Sequence, residues 1–183
     1  MVLMSVFACN DSLSTKEKQE LIIKGNEITQ ATFKELSGHL MHQMKLGGPQ
    51  QAIPFCNIQA MPITLKMAKK YGVTIKRTSN KIRNPENIAT DRELEIIEEY
   101  QSAIDSKEEI SSIVELDIEG NKHFYAPIKI NSKCLSCHGE IEKKLSVKTD
   151  SLIKIKYPKD KAIGYKDGDL RGIWSITFDE KTK

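Results

Sequence analysis

The chain has 183 residues, a net charge of +3 and 29% charged residues. Acids and bases are mixed along it, which excludes an electrostatic case for nucleic-acid binding. The length suits one domain, or one domain with a long helical arm, and no apolar run approaches the roughly 20 residues of a membrane-spanning helix.

The N-terminus has its own character. Residues 1–8 are apolar apart from Ser5, and Cys9 follows Ala8. A short apolar stretch, a small residue and then cysteine resemble the end of a bacterial lipoprotein signal, although no Lys or Arg precedes it. The expected organisation is a signal remnant over 1–8, a polar linker over 9–20 with Cys9 carrying the lipid, and one domain over 21–180. A start upstream of Met1 would supply the missing basic region.

Ser14 or Thr15 caps a helix predicted over 14–46, with an apolar stripe through Ile22, Ile28, Thr32, Phe33, Leu36, Leu40 and Met44. Gly47-Gly48-Pro49 stops it. A second helix is predicted from Pro54, a residue suited to a first turn, with a kink at Pro62 and an end at Tyr71-Gly72. Its residues Ala52, Cys56, Ala60, Ile63 and Met67 share one face. A short strand follows over 73–77, then a polar, turn-rich stretch over 79–87. Thr90 or Asp91 caps a helix to about Ile104, with Leu94, Ile97 and Ile104 inward and Glu93, Glu95, Glu98 and Glu99 mostly outward. Strands over 113–118 and 122–130 flank a Glu119-Gly120-Asn121 turn and form a hairpin. Residues 153–158 lead into a loop containing Gly164, Gly168 and Gly172. The final strand alternates Trp174, Ile176 and Phe178 with polar residues. Helices packed on a small, mostly antiparallel sheet make an α+β domain.

Directly after the second hairpin strand stands Cys134-Leu135-Ser136-Cys137-His138. Cys-x-x-Cys-His is the attachment motif of c-type haem: two thiols bind the vinyl groups and the adjacent histidine meets the iron. A zinc ribbon would need a second ligand pair at comparable spacing, but Cys9 and Cys56 are isolated from each other. A thioredoxin-type motif would open a helix after the first strand of a βαβ unit, whereas this one lies late. Haem c is therefore the expected cofactor, which in bacteria is attached outside the cytoplasm and so agrees with export.

Candidates for the second axial ligand are Cys56, His39, His42, His123 and the methionines. His39 and His42 read as helix-surface residues, His123 as a strand-start surface residue, and Met61 and Met67 as core filler. A helix starting near Pro54 puts Cys56 in its first turn, where the helix dipole favours the metal-binding thiolate. A buried inert cysteine is the competing reading, and position alone leaves the two even. Arg77, Lys81 and Arg83 lie in a segment within reach of haem propionates, or are solvated loop charges.

Several ordered blocks carry a family resemblance. They are Gly47-Gly48-Pro49 with Ala52-Ile53-Pro54-Phe55-Cys56, Ile75-Lys76-Arg77-Thr78-Ser79, and Arg83-Asn84-Pro85-Glu86-Asn87. Then come Tyr125-Ala126-Pro127-Ile128 leading to Cys134 through Gly139, the stretch from Tyr157 to Tyr165, and Gly168-Asp169-Leu170-Arg171-Gly172. Together, over about residues 30–178, they resemble the PAS-like c-type haem family. It includes cyanobacterial Cys/His-ligated haem proteins and haem sensor domains of bacterial signalling proteins. The resemblance implies a PAS-like antiparallel sheet flanked by helices, haem c on Cys134 and Cys137, and His138 and Cys56 as axial ligands. Ala89 departs from the proline expected after the Arg83–Asn87 block.

The expected function is a periplasmic, lipid-anchored haem c protein acting as a redox or gas sensor, with a diatomic gas as the ligand sensed. The alternatives are a low-potential electron-transfer cytochrome and, further off, a haem peroxidase-like enzyme, for which no distal His/Arg pair is evident. The balance leans away from an enzyme. With no kinase, cyclase or membrane span after the last strand, output is expected through a separate redox or signalling partner.

Overall fold

The structure is a computed structural model that describes residues 12–178. The expected signal remnant over 1–8 and the lipid site Cys9 lie outside the described residues. Helix α1 (Thr15–Tyr71) opens with a capping box, in which Ser14 and Glu17 satisfy each other's backbone N–H groups. It breaks at Gly47 and Gly48, the two residues in it that leave helical dihedrals. Gly48 sits at φ 63, ψ −156, a conformation open to glycine. The two arms fold back on each other. Gln51 donates to Gln43 at 3.2 Å, Lys66 pairs with Glu35 at 3.6 Å, and the His39 ring stacks on Phe55 at 6.0 Å. Gly72, at φ 62, ends the helix.

Strand β1 (Val73–Thr78) follows at once. A 3₁₀ turn (Pro85–Asn87) interrupts the polar stretch, and helix α2 (Asp91–Asp105) starts on a second capping box, Thr90 with Glu93. Strands β2 (Ile113–Leu116) and β3 (Lys122–Lys129) form the expected hairpin, and β4 (Leu170–Phe178) ends the described chain. The sheet is antiparallel throughout, in the order β1-β4-β3-β2.

Pleating sends alternate residues to two helical layers. Val73, Ile75, Phe124, Ala126, Trp174, Ile176 and Phe178 meet Ile28 and Met67 of the α1 arms. Tyr125, Leu170 and Ile173 meet Ile96, Ile97 and Tyr100 of α2. The close approach of α1 needs Gly25, where a Cβ would run into the Phe124 ring. The architecture is the expected α+β one, a helix-flanked antiparallel sheet with a long N-terminal helix.

Three local expectations need correction. The second arm of α1 starts directly after Gly48, not near Pro54, because Pro49 serves as its first-turn proline. Glu93 is buried rather than outward, since its carboxylate caps α2 and pairs with Lys76 at 2.6 Å across the sheet edge. Residues read as leading into a loop instead form helix α4 (Val147–Lys156), capped by Ser146.

Candidate functional site

Asn131 begins the Cys-x-x-Cys-His segment. Its side chain accepts from the Lys133 N–H at 3.0 Å and starts a 3₁₀ turn (Ser132–Cys134) that runs into the one-turn helix α3 (Leu135–His138). Gly139 closes the turn, donating to Leu135 O at 2.9 Å. A Cβ at Gly139 would run into that same carbonyl, so the position needs glycine. The segment is pinned to the loop after α4: Gly164 N–H donates to Gly139 O at 3.0 Å and Tyr165 N–H to His138 O at 2.9 Å.

This clamp sets the two thiols in different surroundings. Cys134 is half-buried against Ile130, Leu135, Ala162 and Tyr165. Cys137 is half-buried against Ile53, Leu145, Ile153 and Tyr157. Burial pushes the Cys137 thiol up.

His138 is held by its ring. Nδ1 lies 2.7 Å from the Ala162 carbonyl oxygen. A carbonyl only accepts, so Nδ1 carries the proton and Nε2 presents its lone pair. Burial, followed by the Arg83 and Arg171 charges, pushes the imidazole well below its usual range. The neutral ring with Nε2 open is the metal-binding form, and the carbonyl partner is the second-shell contact that fixes it.

Cys56 lies on the second arm of α1, one turn after Ile53, which touches the Cys137 cluster. It is a half-buried free thiol. It stands about two turns inside its arm, so the helix terminus does not favour its thiolate. Burial and the neighbouring Cys137 push the thiol up, and the Arg77 and Arg83 charges oppose them. The structure thus brings Cys56 into the electrostatic neighbourhood of Cys137, Arg77 and Arg83, segments far apart in the chain.

The expected propionate cations separate on inspection. Arg77, near the end of β1, places its guanidinium 5.7 Å from the Trp174 ring, and its buried Nε has no hydrogen-bond partner. Arg83 is engaged with protein through Nε and Nη2. Its Nε and Nη2 fork onto Asp160 at 3.1 and 3.2 Å, and Nη2 also donates to Cys137 O at 2.7 Å and Ala162 O at 3.2 Å. Lys81 donates to Ile163 O at 2.8 Å and sits 4.4 Å from the Tyr165 ring centre.

The other histidines serve local structure. His39 pairs with Glu35 at 3.7 Å on α1. His123 lies 2.9 Å from Asp117 in the hairpin and within 3.2 Å of Thr177. His42 is exposed on α1. Residue-by-residue reading missed Asp160, the Ala162 carbonyl, Tyr157, Tyr165, Arg171 and Trp174. All six lie in or beside the Tyr157–Tyr165 and Gly168–Gly172 blocks, whose presence carried the signal but not their roles.

The donor set fits a haem. It has a cysteine pair one turn apart, a histidine with Nε2 open, and a third thiol from another element in the electrostatic neighbourhood of Cys137 and the buried Arg77. The fold is similar to the crystal structure of the cyanobacterial heme-protein Tll0287, at TM-score 0.61 and 19% identity, covering 93% of this chain and 99% of that one. At that identity the likeness speaks for the fold. No curated protein sequence matches the chain. The Tll0287-like family matches residues 12–178, in keeping with the resemblance read from the ordered blocks, and the chain belongs to that family.

Proposed function

We propose that this protein binds one haem c, attached through Cys134 and Cys137, with His138 and Cys56 as the axial ligands. The observation that carries the reading is the His138 ring, held neutral with Nδ1 on the Ala162 carbonyl and Nε2 open, beside a cysteine pair and near a third thiol. Membership of a family that includes a haem protein supports it. When bound, the haem supplies a one-electron centre whose potential follows its axial ligands.

The chain's own residues then define a switch. Ala162 O fixes the His138 tautomer and orientation. Arg77 supplies a buried positive charge for an anionic group, a propionate or the Cys56 thiolate. Once Cys137 is a thioether it no longer ionises, and its upward push on Cys56 disappears. What remains at Cys56 Sγ is burial, favouring the proton, against Arg77 and Arg83, favouring the thiolate. Burial is the larger influence, so Cys56 off the iron would be held as the neutral thiol and would leave room for another ligand. That suits a redox or gas sensor answering to a diatomic ligand.

Residues 1–8 followed by Cys9 support export and a lipid anchor on the periplasmic side. The partner in this reading is a redox or signalling protein.

Absorption spectra of the purified protein, oxidised and reduced, with and without carbon monoxide, test the reading. The ferric protein is expected to be low-spin, and Cys56→Ser is expected to change that spectrum while the covalent haem remains. An unchanged ferric spectrum in Cys56→Ser removes Cys56 from the iron. A ferrous protein that binds no carbon monoxide removes the gas-sensing role and leaves electron transfer.

A further inference from the structure

Arg83 ties together three segments that are distant in sequence. It leaves the irregular stretch after β1 and reaches Asp160, the Ala162 carbonyl and the Cys137 carbonyl. The ion pair is deep: the Arg83 side chain is 14% exposed and that of Asp160 4%. Asp160 Oδ1 also accepts from the Ala162 N–H at 2.9 Å, so one carboxylate holds both the guanidinium and the backbone of the residue whose carbonyl faces His138. The backbone is stitched alongside, with Lys161 N–H donating to Ile82 O at 2.9 Å.

Two donors therefore share the Ala162 oxygen, His138 Nδ1–H at 2.7 Å and Arg83 Nη2–H at 3.2 Å. A carbonyl has two lone pairs and takes both. The sharing has two effects. The planar fork of Arg83 on Asp160 fixes where that carbonyl points, and so fixes the plane of the imidazole. The guanidinium charge also draws on the acceptor, which limits how far the carbonyl pulls the Nδ1 proton and how basic Nε2 becomes.

We propose that Arg83 is a positioning residue for His138, acting through the Ala162 carbonyl, rather than an anchor for haem propionates. The proposal rests on the haem reading above. It assigns the two arginines different work. Arg77, whose Nε lacks a partner, faces the anion; Arg83, paired with Asp160, sets the histidine.

The test uses the full haem-loaded protein and three variants, Arg83→Gln, Arg83→Lys and Asp160→Asn. The readouts are the ferric low-spin electron paramagnetic resonance signal, which reports the ligand plane and donor strength, and the reduction potential. Arg83→Gln removes the charge and frees the carbonyl for His138, so the potential is expected to fall and the resonance to shift and broaden. Arg83→Lys keeps the charge but loses the fork, so the potential is expected to stay near the parent value while the resonance still broadens. Asp160→Asn is expected to broaden the resonance and raise the potential, opposite in sign to Arg83→Gln. An Arg83→Lys variant matching the parent in both readouts would show that charge alone acts, which overturns the positioning role. So would an unchanged Arg83→Gln. If Arg83→Gln does not accumulate, the Arg83→Lys resonance decides. A parent protein without haem overturns the functional reading itself, and is seen before any variant is made.

Discussion

Arg77 carries a guanidinium into the layer between α1 and the sheet, with Trp174 beneath it and its buried Nε without a hydrogen-bond partner. Two effects oppose each other there. The contact with Trp174 is worth about 2 kcal/mol or somewhat more when desolvated. Burying an ion without a counter-ion costs several kcal/mol, and leaving one donor unmade adds about 1–3 kcal/mol. Desolvation wins, and burial accordingly lowers the guanidinium's pKa. Arg77→Met, which keeps the stem, is therefore expected to stabilise the haem-free chain by roughly 1–3 kcal/mol and to weaken the haem-loaded one. Denaturant midpoints of both forms check this, and a loss of stability in the haem-free form would contradict it. Such a residue, costly to the fold alone, is what a site for an anionic group looks like. Cys56 was one of several candidates for a second ligand, and the structure sets that thiol in the electrostatic neighbourhood of Cys137. The reason offered for its thiolate character failed, because a helix start depends on Gly48 and Pro49, seven or eight residues earlier, and not on Pro54.

At the scale of elements, the α1 hairpin places Cys56. Gly47 and Gly48 reverse the helix so that the second arm returns along the first and packs Ile53 against the cluster that holds Cys137, with Cys56 one turn further on. Gly48, at φ 63 and ψ −156, would be strained by any side chain, at a cost of about 1–3 kcal/mol. Gly38 is a helical glycine in open space. Gly48→Ala is thus expected to lower stability by that amount, and Gly38→Ala to raise it by about 0.5–1 kcal/mol. Urea unfolding measures both, and an equal response at the two positions would show that the turn does not depend on Gly48. The break was readable in the sequence because glycine pairs before proline punctuate so strongly. The β2–β3 hairpin was readable too, from period-two runs around Glu119-Gly120-Asn121. Helix α4 was not. Its buried side chains are Thr149, Asp150 and Ile153, so no apolar stripe marks a helix, and the order comes from the Ser146 cap and packing on Ile53.

At the scale of the molecule, the site is a convergence. Cys56 comes from α1, Arg77 from β1, Arg83 from an irregular stretch, Cys137 and His138 from α3, and Ala162 from the loop before β4. The fold class was legible because helix and strand periods are local. The Cys-x-x-Cys-His spacing is local as well. The clamp of Arg83 on Asp160 and Ala162 joins residues 77 and 79 positions apart, so no local pattern announces it. The ordered blocks carried that information as a resemblance, without saying which side chain meets which. The sheet and its two helical layers act as the frame that turns separate blocks into one donor set. Everything proposed for function rests on whether that donor set holds a covalent haem. The most direct test is the intact mass of the denatured protein, isolated from cells that mature c-type cytochromes, beside a Cys134→Ser/Cys137→Ser variant. One haem per chain that survives denaturation is expected in the parent, and none in the double variant. A parent chain at its bare polypeptide mass would contradict it.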